Sequence, residues 1–256
     1  CMTEPNAGSD LFSMTTRAEE RGGEWRVTGQ KTWITSAPFA DLFTVFARTG
    51  EKELSVFLVE KGAEGLTVGR SIEKMGVKAS VTSEVSFEDC RVPLDALLGE
   101  PGKGPGYLRE ILDEIRVMTG ALAVGTARAA LEDSLAYAKE RVQFGKPIIQ
   151  NQAIAFMLAD MATEIDAARM MVWRAAWLGK QKQYKNAEGS MAKLKAGRVA
   201  VWSTERAMQI LGGAGYVTDH PVERWHRDAK IYDIFEGTEQ IQQLVISRAI
   251  SGLRIE

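Results

Sequence analysis

Pro101-Gly102-Lys103-Gly104-Pro105-Gly106 divides the chain into two stretches with different periodicities. Such a run suits neither a strand nor a helix interior, because proline removes a backbone donor and glycine resists ordering. Before it, short β-rich runs alternate with turn signals. They are Trp25-Arg26-Val27-Thr28, a break at Gly29-Gln30, Lys31-Thr32-Trp33-Ile34-Thr35, Leu42 to Ala47 and Leu54 to Val59. Gly22-Gly23 and Thr49-Gly50 mark hairpin loops. A further run, Val81 to Phe87, alternates apolar and polar residues, and Pro93 closes the β part, which reads as a barrel or sandwich. Beyond the run the period becomes helical. Leu108, Ile111, Leu112 and Ile115 lead into an Ala-rich stretch from Val117 to Arg141, followed by helices near Asn151–Gly179 and Glu188–Leu211. A short helix starts at Pro221, and a last one runs from after Gly237 to near Gly252. The expected organisation is α+β, with domains at 1–100 and 101–256.

With 256 residues and 45% hydrophobic content the chain can bury a sizeable core. A net charge of −2 leaves no electrostatic footprint for nucleic acid or an anionic membrane, so a phosphate-bearing ligand has to be held locally. Cys1 and Cys90 give no disulfide framework, and no apolar run is long enough to span a bilayer, which suits a reducing interior compartment. The chain opens on Cys1 rather than Met, directly into a Gly/Ser/Asp loop, and reads as a piece of something longer.

The peptide Tyr232-Asp233-Ile234-Phe235-Glu236-Gly237-Thr238-Glu239-Gln240 sets a carboxylate between bulky apolar residues and a glycine. Apolar surroundings raise a carboxylate's pKa and bring its basicity toward what carbon-acid chemistry needs, making Glu236 a candidate base. The same letters describe a helix start in which Gly237 turns the chain and Thr238 caps, and the peptide alone leaves both readings open. Gly8-Ser9-Asp10, after Thr3-Glu4-Pro5, offers N–H groups and hydroxyls in a compact turn that could cradle a phosphate or a polar ring edge. Trp33-Ile34-Thr35 is either a stacking platform with a hydroxyl handle or an ordinary core tryptophan. Arg141-Val142-Gln143-Phe144-Gly145 puts a guanidinium and an aromatic at a helix break. Gln209-Ile210-Leu211-Gly212-Gly213 ends a helix, where glycines ordinarily serve as C-caps. His220 and His226 make no metal-ligand pattern, so no metal is expected.

In this order the motifs resemble those of the acyl-CoA dehydrogenase family over essentially the whole chain. The residues carrying the resemblance are Met2 to Asp10, Trp33-Ile34-Thr35, Arg141 with Phe144-Gly145, and Gln209 to Gly213. Pro221-Val222-Glu223, Arg227 to Ile231 and Glu236-Gly237-Thr238 complete it. The medium- and short-chain branch is nearest. The resemblance implies a β-barrel middle domain, a C-terminal four-helix bundle, FAD, and α,β-dehydrogenation of an acyl-CoA thioester. Glu236 would take the α-proton while the β-hydrogen leaves as hydride to flavin N5, with the thioester carbonyl polarised by the Glu236 N–H and a ribityl hydroxyl.

By the same resemblance Met2, Thr3, Gly8, Ser9, Trp33, Ile34 and Thr35 serve the flavin, and Thr238 and Gln240 its adenosine side. Arg141, Phe144, Gln209, Gly212 and Gly213 reach a neighbouring subunit's FAD, and Gln152 joins the cofactor set. Ser9, Asp113, Arg116, Phe235 and Gly237 contact substrate, and the bland reading of Asp113 with Arg116 is a helix-surface ion pair. Also implied are a homotetramer built as a dimer of dimers, an electron-transfer flavoprotein as acceptor, and a bacterial cytoplasmic or mitochondrial matrix location. An oxidase-like relative and a non-catalytic flavoprotein-like subunit are the alternatives. Ile115 stands where some branches carry their base, and Phe235 where close relatives often have Tyr. The family's N-terminal α-helical domain would lie before Cys1, so it is expected upstream or on another polypeptide.

Overall fold

A computed structural model of the chain describes residues 1–255. It divides into two compact units, Cys1–Lys74 with Lys78–Glu110, and Met75–Val77 with Ile111 onward.

The first unit contains strands β1 (Arg17–Arg21), β2 (Glu24–Thr35), β3 (Leu42–Arg48), β4 (Leu54–Glu60), β5 (Leu66–Val68) and β6 (Thr82–Pro93). They make one six-stranded mixed sheet in the order β4-β3-β1-β2-β6-β5, with a parallel contact only where Arg17 of β1 meets Arg48 of β3. Gly22 and Gly23 turn the β1–β2 hairpin at φ 63° and 82°, the sign that a twist-compatible two-residue turn needs. The core is built from inward positions such as Val27, Val45, Phe57, Val59, Val85 and Phe87. From Ser83 to Phe87 the expected alternation holds, with Ser83, Val85 and Phe87 buried and Glu84 exposed, whereas Thr82, expected on the outward face, is buried too.

Two features differ from the sequence reading. Gly29-Gln30 is not a break, because β2 runs through it. Gly29 sits at φ 154° in a register shift against β6, and a Cβ there would stand 2.3 Å from Thr16 Oγ1 and 2.7 Å from Thr16 Cα. The glycine serves a close backbone approach rather than a turn. Strand β1 carries no apolar alternation to reveal it, since Ala18 alone among its residues is buried.

A buried ion pair ties the N-terminal loop to this sheet. Lys31 Nζ donates to Glu4 Oε1 at 2.9 Å and to the Met2 carbonyl at 3.0 Å, with both side chains almost wholly out of solvent. Glu4 also accepts from the Thr15 N–H, the Thr15 hydroxyl and the Thr16 N–H at 2.6, 2.9 and 3.0 Å. Burial alone would raise the Glu4 pKa, but these donors outweigh it and hold the carboxyl at about 2.

The second unit is helical. Helix α1 (Gly104–Glu140) brings the chain into it, followed by α2 (Gln152–Lys180), α3 (Glu188–Leu211), α4 (Gly213–Tyr216), α5 (Val222–Ala229) and α6 (Glu239–Ser251). The α2 stripe is buried as its spacing predicts, through Leu158, Met161, Ile165, Ala168, Val172 and Ala175. Helix α3 contributes Ala192, Ala196, Ala200 and Ala207 to the core, small residues that let neighbouring elements come close. It starts where Glu188 folds back to accept the N–H groups of Lys185 and Asn186, each at 3.0 Å, and ends at Gly212 with φ 59°. Pro221 precedes α5 rather than opening it, its carbonyl accepting the Trp225 N–H at 3.0 Å. Helix α4 was not expected from the sequence.

Glu4→Gln leaves the Lys31 ammonium buried without its carboxylate and is expected to destabilise the first unit by about 3–5 kcal/mol. Urea unfolding measures this. Because folding lowers the Glu4 pKa from 4.5 to about 2, its contribution is complete above pH 4.5 and is lost as pH falls through 2. Gly29→Ala drives a methyl into Thr16 and is expected to cost about 1–3 kcal/mol, read as a lower urea midpoint at unchanged slope.

Candidate active site

Residues 234–238 join a 3-10 turn (Lys230–Asp233) to α6. Glu236 and Gly237 are consecutive left-handed residues, at φ 56° and 93°. Glycine adopts this readily, whereas a glutamate in it stores on the order of 1–3 kcal/mol of strain and needs the surroundings to hold it. Two buried side chains do so. Gln242 Nε2 donates to the Glu236 carbonyl at 3.2 Å and the Gly237 carbonyl at 2.8 Å, and Lys193 Nζ donates to the Gly237 carbonyl at 2.6 Å. A Cβ on Gly237 would lie 2.6 Å from Gln242 Nε2, so this clamp also requires the glycine. Thr238 is the N-cap of α6, its hydroxyl accepting the Ile241 N–H at 3.3 Å. Helix cap and candidate base therefore lie two residues apart in one loop.

The Glu236 side chain is half-buried. Burial pushes its pKa above the ordinary carboxylate value, and the Lys193 and Arg116 cations pull back against that rise. Lys193, only 1% exposed, is itself brought down to about 8 by burial, against the opposing pull of Asp233 and Glu236. Arg116 is not the solvated surface residue of the bland reading. It is 7% exposed, its Nη1 lies 3.4 Å from Asp113 Oδ1, and its Nε has no hydrogen-bond partner among the described residues. Phe235 packs at a tilt against Tyr232, ring centroids 5.9 Å apart, and rests against the helical core. The result is a partly dehydrated carboxylate on a rigid backbone with two cations near it, an arrangement suited to taking a proton from a weak carbon acid.

In the first unit the structure draws Met2, Thr3 and residues 33–35 together. The Thr32 N–H donates to the Thr3 carbonyl at 2.8 Å, next to the Lys31 bond to Met2. The β2–β6 register slips between Lys31 and Ile34, and Trp33 within that slip has φ 60° and is 60% exposed. A bulge re-aims a side chain, and a bulky residue at positive φ is strained, so this indole is displayed rather than left over. Thr35, Gly8 and Ser9 are exposed, and a Cβ on Gly8 would meet nothing within 4 Å. A displayed aromatic face and an open Gly/Ser turn in the same unit are the kinds of group that fit the ring and phosphates of the FAD that the motifs imply.

The remaining expected cofactor residues lie on the surface of the second unit. Phe144 is 96% exposed at φ 53° and precedes Gly145 at φ 77°; Arg141, Gln152, Gln209, Gly212, Gly213 and Gln240 are exposed as well. Cβ atoms on Gly212 or Gly213 would meet nothing within 4 Å, leaving their backbone open to an approaching group. His226 Nδ1 is engaged by Thr204 Oγ1 at 3.1 Å, and among the described residues no three His, Cys, Asp or Glu are placed to hold a metal ion. No helix among them is long and apolar enough to cross a membrane.

Sequence reasoning missed the Glu4–Lys31 pair, Lys193 and Gln242. For Lys193 a signal existed. It interrupts the small-residue face Gly189, Ala192, Ala196, Gly197 and Ala200 of α3, where a lysine has no reason to sit unless it is paired.

Residues 1–90 match the family model "Acyl-CoA dehydrogenase, middle domain" and residues 102–251 match "Acyl-CoA dehydrogenase, C-terminal domain". Benzylmalonyl-CoA dehydrogenase of Aromatoleum aromaticum is 53% identical over 98% of this chain and 67% of its own length. The mitochondrial short-chain specific acyl-CoA dehydrogenase of Rattus norvegicus is 44% identical over 96% of this chain and 61% of its own. The solved structure of butyryl-CoA dehydrogenase from Megasphaera elsdenii superimposes with a TM-score of 0.95 at 40% identity, covering 98% of this chain and 67% of that one. The chain thus spans about two thirds of the length of the relatives it matches, and it belongs to the acyl-CoA dehydrogenase family, FAD-dependent oxidoreductases that act on CH–CH bonds.

Proposed function

We propose that this protein introduces a trans-2 double bond into an acyl-CoA thioester, the reaction type of fatty-acid β-oxidation, with Glu236 removing the α-proton. The observation that carries this reading is Glu236 itself, a half-buried carboxylate with a raised pKa, held in a left-handed conformation by two buried donors. Bound FAD supplies the acceptor for the hydride that leaves the β-carbon.

The other requirements fall on side chains and backbone of this chain. Half-buried, Glu236 is poorly hydrated when ionised, so its basicity is closer to that of a thioester α-carbon than a surface carboxylate's would be. Its own N–H is the protein donor assigned to the thioester carbonyl, where enolate charge develops. Phe235 and Gly237 shape the surface the acyl group meets, and Asp113 and Arg116 are assigned to the CoA side, with Ser9 serving both ligands. Met2, Thr3, Trp33, Ile34 and Thr35 orient the flavin, Gly8 and Ser9 its phosphates, and Thr238 and Gln240 its adenosine side.

The assembly assigned is a homotetramer, a dimer of dimers, in which Arg141, Phe144, Gln209, Gly212 and Gly213 reach a neighbouring FAD and Gln152 supports that set. The exposure of Phe144 supports this, as do the large apolar residues Phe156, Met170, Trp173 and Trp177 left uncovered on α2. An electron-transfer flavoprotein is the assigned acceptor, and the bacterial cytoplasm or the mitochondrial matrix the assigned location.

The test is anaerobic bleaching of the flavin absorbance by a panel of acyl-CoAs. Glu236→Gln is expected to retain FAD and to lower the bleaching rate by about 10²–10⁴-fold or more. A variant that bleaches at the wild-type rate refutes the assignment. Because only the ionised carboxylate accepts a proton, the wild-type rate rises with pH through a midpoint above the ordinary 4.5. A rate that stays flat down to pH 4.5 contradicts it.

A further inference from the structure

Helix α3 turns one stripe toward the residues that carry the chemistry of the second unit. At Gly189 a Cβ would come within 3.1 Å of the Asp113 carbonyl and 3.8 Å of Arg116 Cβ. One turn on, Lys193 reaches the Gly237 carbonyl. One turn further, a Cβ on Gly197 would lie 2.7 Å from Asp233 Oδ1 and 3.2 Å from the Tyr232 carbonyl. The two glycines let α3 sit close enough to α1 and to residues 232–237 for a lysine between them to touch the backbone beside Glu236.

The geometry points to Lys193 as a positioning residue for Glu236, locking the Glu236–Gly237 backbone through the Gly237 carbonyl and placing a buried cation beside the carboxylate. This rests on Glu236 being the base. Lys193 divides the work with Gln242, whose Nε2 binds the carbonyls of both residues but brings no charge. The groups facing Lys193 are Arg116 from α1, Asp233 from the 3-10 turn, Glu236 from the loop and Glu239 from α6. Glu239 is already engaged by Arg198 Nε at 2.9 Å and Asp233 by Lys230 at 3.1 Å. Burial raises the Glu236 pKa, whereas that of Glu239 is lowered first by its bond to Arg198, and Lys193 is the strongest charge opposing the Glu236 rise. Since Lys193 is brought down to about 8, its charge supports the ionised base below that pH and fades above it.

The experiment compares wild type, Lys193→Met, Lys193→Arg and Gln242→Met. The Glu236 carboxyl is titrated by carbon NMR in the cofactor-free protein, its resonance identified by its loss in Glu236→Gln, and turnover is measured in the FAD-loaded protein. Lys193→Met is expected to raise the Glu236 midpoint by about one pH unit or more. It is also expected to lower kcat by about 10- to 100-fold with KM little changed. Lys193→Arg restores the midpoint. Gln242→Met lowers kcat without moving the midpoint. An unchanged midpoint and kcat in Lys193→Met overturn the proposal. If Lys193→Met does not fold, Lys193→Arg and Gln242→Met decide it, and wild-type kcat in Gln242→Met together with a displaced midpoint in Lys193→Arg overturns it. Full activity in Glu236→Gln brings down the base assignment, whereas an inactive Glu236→Gln beside a normal Lys193→Met brings down this inference alone.

Discussion

A buried lysine ammonium donating to a loop carbonyl is the interaction on which each unit's functional loop depends. In the first unit Lys31 holds the Met2 carbonyl and in the second Lys193 holds that of Gly237. Taking an ammonium out of water is costly, and both lysines show it through lowered pKa values caused first by burial. The returns differ. Lys31 is neutralised by a carboxylate that is itself fully hydrogen-bonded, which makes a rigid anchor. Among the described residues no carboxylate lies at bonding distance from Lys193, and its field extends to Glu236.

The same logic applies at two of the strained backbone positions. Trp33 and Glu236 are both non-glycine residues at positive φ, each next to a lysine-held carbonyl region. A backbone in so unfavourable a region persists only where its surroundings over-determine it. At Trp33 the bulge, the Glu4–Lys31 pair and the Thr32–Thr3 bond do this. At Glu236 the work falls to Gln242, Lys193 and the Thr238 cap. One device displays an aromatic face and the other fixes a carboxylate, both with little freedom left to lose on binding.

Much of this was legible in the residues because it rests on local pattern. The α2 stripe, the start and end of α3, and the Thr238 cap follow from period, capping chemistry and glycine placement. Glu236 was legible only as one of two readings, and the structure makes the two compatible. What sequence could not show are contacts between distant residues. Gly29 reads as a turn until Thr16 is seen against it, and Arg116 reads as a surface residue until α1 is packed. Lys193 joins Gly237 across forty-four positions, a pairing no local period encodes. Strand β1 was lost for the opposite reason, since a highly charged strand with one inward residue looks like a loop.

The central claim is that Glu236 removes the α-proton, and exchange of that proton with solvent tests it most directly. Acyl-CoA is incubated with the FAD-loaded protein in D2O without an electron acceptor, and deuterium at the α-carbon is followed by mass spectrometry. The account predicts incorporation with the wild-type protein and none above background with Glu236→Gln. Incorporation at an equal rate in both would contradict it.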